Sequence, residues 1–242
     1  KKRGIDVTVL DFSATEDTVI DGIQVISLKT YSSDFQNEEF DILVCHAPNI
    51  RNHYLFLKRF EKRFKKIVFF FHGHEVLRVS KVYPKPYSYI KDSAWYIKAF
   101  REIYDTIKLS LWRRYFVKLS FKSSFVFVSN WMYEEFMKWV RIDEKFIGKS
   151  KEITYNTVGE IFESESYNHK SEKEYDFITI RGNLDGSKYC ADIIVDIANA
   201  FPQYKFCMIG KGKFFEFNSI PKNLTWIDTH LNHRQMVSYL DK

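Results

Sequence analysis

The sequence predicts an α/β protein built from two successive units of parallel sheet. Three observations carry this. Short runs rich in β-branched and aromatic residues alternate with stretches of helical spacing. A polar segment of Glu, Ser, Lys and Asn, residues 160–174, interrupts that alternation once. Polar or Gly-containing residues follow the expected strands, as at the carboxyl edge of an open parallel sheet, where ligands bind.

Taken in order, residues 5–11 and 23–28 are short apolar runs that read as strands. Residues 40–46 form a nearly continuous apolar run ending in His46, the pattern of a strand buried on both faces. Residues 50–66 have helical spacing, with Ile50, Tyr54, Leu57, Phe60 and Phe64 on one side. A buried strand follows at 67–72, broken by Gly73, and a loop with two prolines runs to Pro86. A long helical stretch covers about 89–121, mixing Trp95, Tyr96, Phe100, Trp112 and Phe116 with many Lys and Arg. Then come a strand at 124–129, a helix at 131–140 and a short strand at 153–155. After the polar segment the pattern restarts: strand 175–180, helix 188–200, strands 205–209 and 224–227, and a helix from 234. The expected division is therefore 1–160, a linker 161–174, and 175–242.

A chain of 242 residues, 45% hydrophobic and 18% aromatic, can bury a core, which excludes a disordered protein. No run approaches 18 apolar residues, so no membrane-spanning helix is expected. The start, Lys1-Lys2-Arg3-Gly4, lacks the apolar region of a signal peptide. It also lacks Met, and the chain is expected to begin inside a longer protein. Three scattered cysteines, Cys45, Cys190 and Cys207, each in an apolar stretch, suit a reducing compartment, hence a cytoplasmic location. Residues 51–122 hold 18 Lys and Arg against five Asp and Glu, while the whole chain is only +6. Such a field attracts phosphate-rich partners: nucleotides, anionic membrane surfaces or nucleic acid. No nucleic-acid motif appears, so nucleic acid is the unlikely member of that set.

Several strand ends carry chemistry. His72-Gly73-His74-Glu75 places two imidazoles and a carboxylate beside a glycine, suited to proton transfer or to holding sugar hydroxyls. It lacks the helical i, i+4 spacing of a zinc site, and no metal is expected. His46 ends a neighbouring strand. Between a strand and a helix lies Arg181-Gly182-Asn183-Leu184-Asp185-Gly186-Ser187-Lys188. Its glycines expose N–H groups, the helix start favours anions, and Arg181 and Lys188 add positive charge, a recipe for a diphosphate. The alternative is a plain turn with Ser187 or Asp185 as helix cap. Gly210-Lys211-Gly212 forms a second Gly-Lys loop. No Gly-x-Ser-x-Gly elbow supports a serine hydrolase.

In order and spacing these pieces resemble a GT-B glycosyltransferase of the family-4-like group. Phe71-His72-Gly73-His74-Glu75 resembles the strand-end His-Gly segment lining that family's cleft, and Phe127-Val128-Ser129 matches a strand-to-helix element. Lys2 through Val9 is similar to the second strand, and Ile153 through Val158 with Phe162 to the passage into the second domain. The stretch from Gly182 to Tyr189 resembles the donor element, with Lys188 on the diphosphate-contacting lysine, Asn183 where the family has Arg, and Tyr189 where it has Gly. The resemblance implies two Rossmann-like domains facing a cleft, the second incomplete, with the chain truncated at both ends.

It further implies a retaining, metal-independent hexosyltransferase without a cofactor. The donor would be a nucleotide-diphosphate sugar, the acceptor a glycan or lipid-linked polysaccharide precursor. Arg181, Gly182, Asn183, Lys188, Gly210 and Gly212 would bind the donor. His72, Glu75 and His46 would serve catalysis near sugar and acceptor. The basic residues 51–122 would dock to an anionic membrane surface, giving a cytoplasmic enzyme peripheral to the inner face of the membrane. Two alternatives fit the same residues: another sugar-nucleotide enzyme such as a 2-epimerase, and a non-catalytic glycan- or nucleic-acid-binding protein.

Overall fold

Ten short strands and nine helices organise the described part of the chain, two parallel sheets among them. The computed structural model describes residues 4–91, 93–157, 159–166, 170 and 172–241. Residues 1–3 (Lys2 and Arg3 of them in the segment likened to a glycosyltransferase second strand), Asp92, Val158 of the expected interdomain passage, residues 167–169 and 171 of the expected linker, and Lys242 lie outside that set. The chain divides into two compact units: Lys1–Arg78 with Tyr104–Tyr155, and Val79–Ile103 with Asn156–Lys242.

In the first unit, β1 (Thr8–Asp11) pairs in parallel with β3 (Ile23–Ser27), and β2 (Thr18–Ile20) pairs antiparallel with β3. The sequence reading omits β2. Asp21 and Gly22, both at positive φ, make the tight two-residue turn that joins it to β3, the conformation that Asp-Gly favours. Ser27 caps α1 (Leu28–Thr30) by accepting from the Thr30 N–H at 3.2 Å.

The main sheet has four parallel strands in the order β4 (Phe40–His46), β5 (Phe64–Phe71), β6 (Ser123–Phe127), β7 (Lys151–Ile153). A wide helical turn at Ile50–Tyr54 leads into α2 (Leu55–Phe60). The helical spacing over 50–66 overruns: Phe64 already belongs to β5. Ile67, Phe69 and Phe71 are buried on one face by the strand's alternation, and Phe64, out of phase with them, is buried as well and pairs with Phe40 of β4. Lys122 Nζ donates to the carbonyls of Glu61 (2.6 Å) and Phe64 (3.1 Å), which satisfies the helix end there. Helix α3 (Val79–Val82), a single turn, belongs to the second unit.

Helix α4 spans Trp95–Leu119, the residues from Tyr104 belonging to the first unit and those up to Ile103 to the second, and α5 spans Asn130–Val140. Leu109, Trp112, Tyr115, Phe116 and Leu119 are buried along α4, spaced three and four apart. Trp112 meets Phe69 of the sheet, and Phe116 meets Phe69, Phe71 and Phe125 together with Phe136 of α5. Ser129 caps α5 by accepting from Met132 N–H at 3.1 Å. Burying each such aromatic ring contributes about 1.5–3 kcal/mol.

The second unit holds a three-stranded parallel sheet, order β10 (Leu224–Ile227), β9 (Phe206–Lys211), β8 (Phe177–Asn183). One turn of helix, α6 (Glu160–Glu163), lies within the expected linker. Helices α7 (Ala191–Ala200), α8 (Phe214–Phe217) and α9 (His233–Leu240) complete it. Its core is Leu184, Ala191, Ala198, Phe206, Met208, Phe214 and Leu224. Residues Asn232 and Gln235 form a reciprocal capping box at the start of α9.

Candidate functional site

The carboxyl ends of β4 and β5 bring His46 and His72 together. Their register places His46 beside Phe70, and His46 Nδ1 lies 3.2 Å from His72 Nε2, a contact in which one imidazole donates to the other. The Phe70 ring stacks on both, at centroid distances of 5.0 and 4.8 Å. Burial, and then the charge of His72, hold the His46 pKa below its ordinary value. Glu75 does not join them as an outward-facing acid. It is buried, and its carboxylate accepts from the Gly73 N–H at 2.6 Å and the His72 N–H at 3.4 Å, stapling its own turn.

The next turn is anchored from α4. Lys108 Nζ donates to the His74 carbonyl (3.2 Å), the Leu77 carbonyl (3.0 Å) and Asp105 Oδ1 (2.7 Å), so a buried ammonium has three acceptors. Among the described residues no three His, Cys, Asp or Glu side chains converge as metal ligands would. Cys45 is buried in β4, and burial pushes its thiol up to about 12, where it stays protonated.

His53 sits nearby with its Nδ1 accepting from the Asn49 N–H at 3.3 Å, its ring against Phe12. Burial, and then the charge of His46, lower its pKa from 6.5 to about 4. Between those values the unfolded chain binds the proton that the folded chain refuses, so folding stability falls as pH drops from about 6.5 to about 4. His53→Gln is expected to flatten that part of a urea-midpoint-against-pH curve. An unchanged slope overturns the neutral, buried imidazole.

In the second unit the strand-end loops face one another within a single clasp. Arg181, Gly182 and Asn183 end β8, and Gly210 lies in β9. A Cβ on Gly210 would sit 2.4 Å from the Arg181 carbonyl, so only glycine permits this approach of β9 to β8. Gly182, by contrast, has open space around it. Asn183 Oδ1 accepts from the Asp185 N–H at 2.7 Å, turning the chain.

Asp185 is the hub that sequence reasoning gave only a capping role. One carboxylate oxygen accepts from the Lys213 N–H (2.8 Å) and the Tyr89 hydroxyl (2.9 Å), and the carboxylate lies 3.1 Å from where Gly212 would carry a Cβ. Thus the chain's own carboxylate occupies an N–H of the Gly-Lys loop.

The start of α7 is met similarly. The Tyr87 hydroxyl accepts from the N–H groups of Ala191 (3.1 Å) and Asp192 (3.5 Å) and donates to Asp192 Oδ1 (3.0 Å). Burial, followed by that carboxylate, raises the Tyr87 pKa to about 12. Ser187 is not the cap; its hydroxyl donates to the Pro84 carbonyl at 3.3 Å. Lys188 is exposed, its ammonium 5.0 Å from the Tyr189 ring centroid and 5.5 Å from that of Tyr83.

The fold and these loops define an α/β protein with parallel sheets whose strand ends are tied by its own side chains. The family model of the lentivirus virion infectivity factor (VIF) matches residues 49–230, about three quarters of the chain. The chain belongs to that family. No curated protein matches it.

This membership corrects the glycosyltransferase resemblance: the family is one of viral infectivity factors. The hexosyltransferase activity, the alternative sugar-nucleotide and glycan- or nucleic-acid-binding readings, and the nucleotide-sugar donor with its glycan or lipid-linked acceptor fall with it. So do the polysaccharide-biosynthesis and peripheral-membrane settings. The misleading signal was the order of strand-end Gly, His and Lys residues, which any parallel α/β chain can place at its carboxyl edges.

Proposed function

We propose that this chain works by binding another protein, without catalysis, and that the first half of α4 is its contact surface. One observation carries this: Trp95, Tyr96, Phe100 and Ile103 are 80, 60, 74 and 57% exposed on the opening turns of a 25-residue helix. Clustered exposed aromatics mark interaction surfaces, because Trp and Tyr contribute most when a partner desolvates them. Lys91, Lys98 and Arg101 flank them in sequence, which favours an apolar groove rimmed by carboxylates. The printed description of the family, a virion infectivity factor, supports a role in the infectivity of lentiviral particles. Three free thiols support a reducing compartment such as the cytoplasm. Parallel strands joined by crossover helices support a Rossmann-like reading of each unit.

The test compares lentiviral particles produced with the wild-type chain, with a Trp95→Asp/Phe100→Asp variant, and without the chain. Exposed substitutions of this kind are expected to change folding stability by no more than about 0.5 kcal/mol, checked by thermal melting. Infectivity should depend on the wild-type chain and be lost in the variant. Equal infectivity in all three, or turnover of a nucleotide sugar by the chain, overturns the proposal.

A further inference from the structure

Two imidazoles converge at the carboxyl edge of the main sheet. His46 ends β4, His72 follows β5, and the register sets His46 beside Phe70. Alternation puts Phe70 and His72 on one face, so both imidazoles stand on the same side of the sheet. His46 Nδ1 and His72 Nε2 lie 3.2 Å apart. The Phe70 ring stacks on both at interplanar angles of 24 and 20°, which fixes their orientation. Such packing holds a pair of side chains ready before any ligand arrives. Both histidines are exposed to solvent.

In the free chain one imidazole donates to the other, with a proton between the two nitrogens. The same spacing is the bite of a chelate. Two nitrogens 3.2 Å apart, each about 2.0–2.1 Å from one ion, subtend about 100° at it, between the square-planar and tetrahedral angles. Binding requires only that the donor ring carry its proton on its other nitrogen, after which both imidazoles are neutral ligands. His72 and His74 lack the spacing of a helical metal site, but the partner of His72 is His46, 26 positions earlier. Glu75 supplies no ligand, since its carboxylate accepts from the Gly73 N–H at 2.6 Å. No third His, Cys, Asp or Glu converges with the pair among the described residues, so water fills the remaining positions. Imidazole suits first-row ions such as zinc and copper, and copper(II) stands highest in that series.

We propose that His46 and His72 form a two-imidazole chelate for a first-row divalent transition-metal ion, copper(II) foremost, a site independent of the α4 contact surface. The experiment titrates Cu²⁺, Zn²⁺ and Mg²⁺ into the whole untagged chain by calorimetry and records the electron paramagnetic resonance spectrum of the copper complex. It includes His46→Gln, His72→Gln and, as a control on the second unit, the exposed His230→Gln. One equivalent of Cu²⁺ should bind, more tightly than Zn²⁺, with hyperfine splitting from two imidazole nitrogens, and Mg²⁺ should not bind. Affinity for Cu²⁺ should fall at least about tenfold in each of His46→Gln and His72→Gln and hold in His230→Gln. Because both histidines are exposed, metal-free melting temperatures should match wild type, which separates lost binding from lost folding. Absence of saturable binding, a loss in one of the two variants alone, or an equal loss in all three overturns the chelate.

Discussion

Lys108→Met is expected to destabilise the protein by about 3–5 kcal/mol. The lysine and Asp105 are buried at 2.7 Å, their side chains 7 and 10% exposed. Methionine fills similar volume but leaves the Asp105 carboxylate without that partner and releases the carbonyls of His74 and Leu77. The penalty comes mainly from buried acceptors that lose their donor rather than from lost attraction. A urea melt with unchanged slope and a lowered midpoint is the expected readout. Replacing both partners, Lys108→Met with Asp105→Leu, should recover part of the loss. If the single variant unfolds at the wild-type midpoint, the buried pair does not hold this turn.

Phe116→Ala should cost a comparable amount, about 3–5 kcal/mol, through a cavity that rigid neighbours cannot close. The ring is fully buried, stacked on Trp112 at 5.0 Å and edge-on to Phe69 at 4.9 Å. Phe100→Ala, on the same helix but 74% exposed, should change stability by less than about 0.5 kcal/mol. Melting both variants together measures whether α4 is core along its second half alone. Similar midpoints would overturn that division.

That contrast shows how far pattern alone reaches. Aromatic residues recur along α4 in both halves, and periodicity treats Phe100 and Phe116 alike. What separates them is whether a sheet lies beneath, and β5 and β6 come from chain segments on either side of the helix. The boundary at Phe64 has the same cause. Helical spacing accommodates that residue and the alternation of Ile67, Phe69 and Phe71 does not, yet its pairing with Phe40 across the sheet places it in the strand. The hairpin at Asp21-Gly22 was legible and omitted, since its signal is two residues long.

The strand-end residues were legible as positions, not as roles. Parallel α/β alternation places His46, His72, Arg181 and Gly210 near the carboxyl edges of strands. The partners of Glu75 and Asp185 were not readable. Glu75 is turned inward onto backbone N–H groups, and Asp185 onto Lys213 N–H and the Tyr89 hydroxyl, 96 residues away in the chain.

The sequence by itself determined the α/β class, the parallel strand alternation and the buried aromatic runs, because periodicity and composition are local properties of the chain. Which half of α4 is covered and what each carboxylate holds were decided only by tertiary structure. Those outcomes depend on side chains brought together from distant segments, and hydrogen bonding, burial and charge act through distance in space.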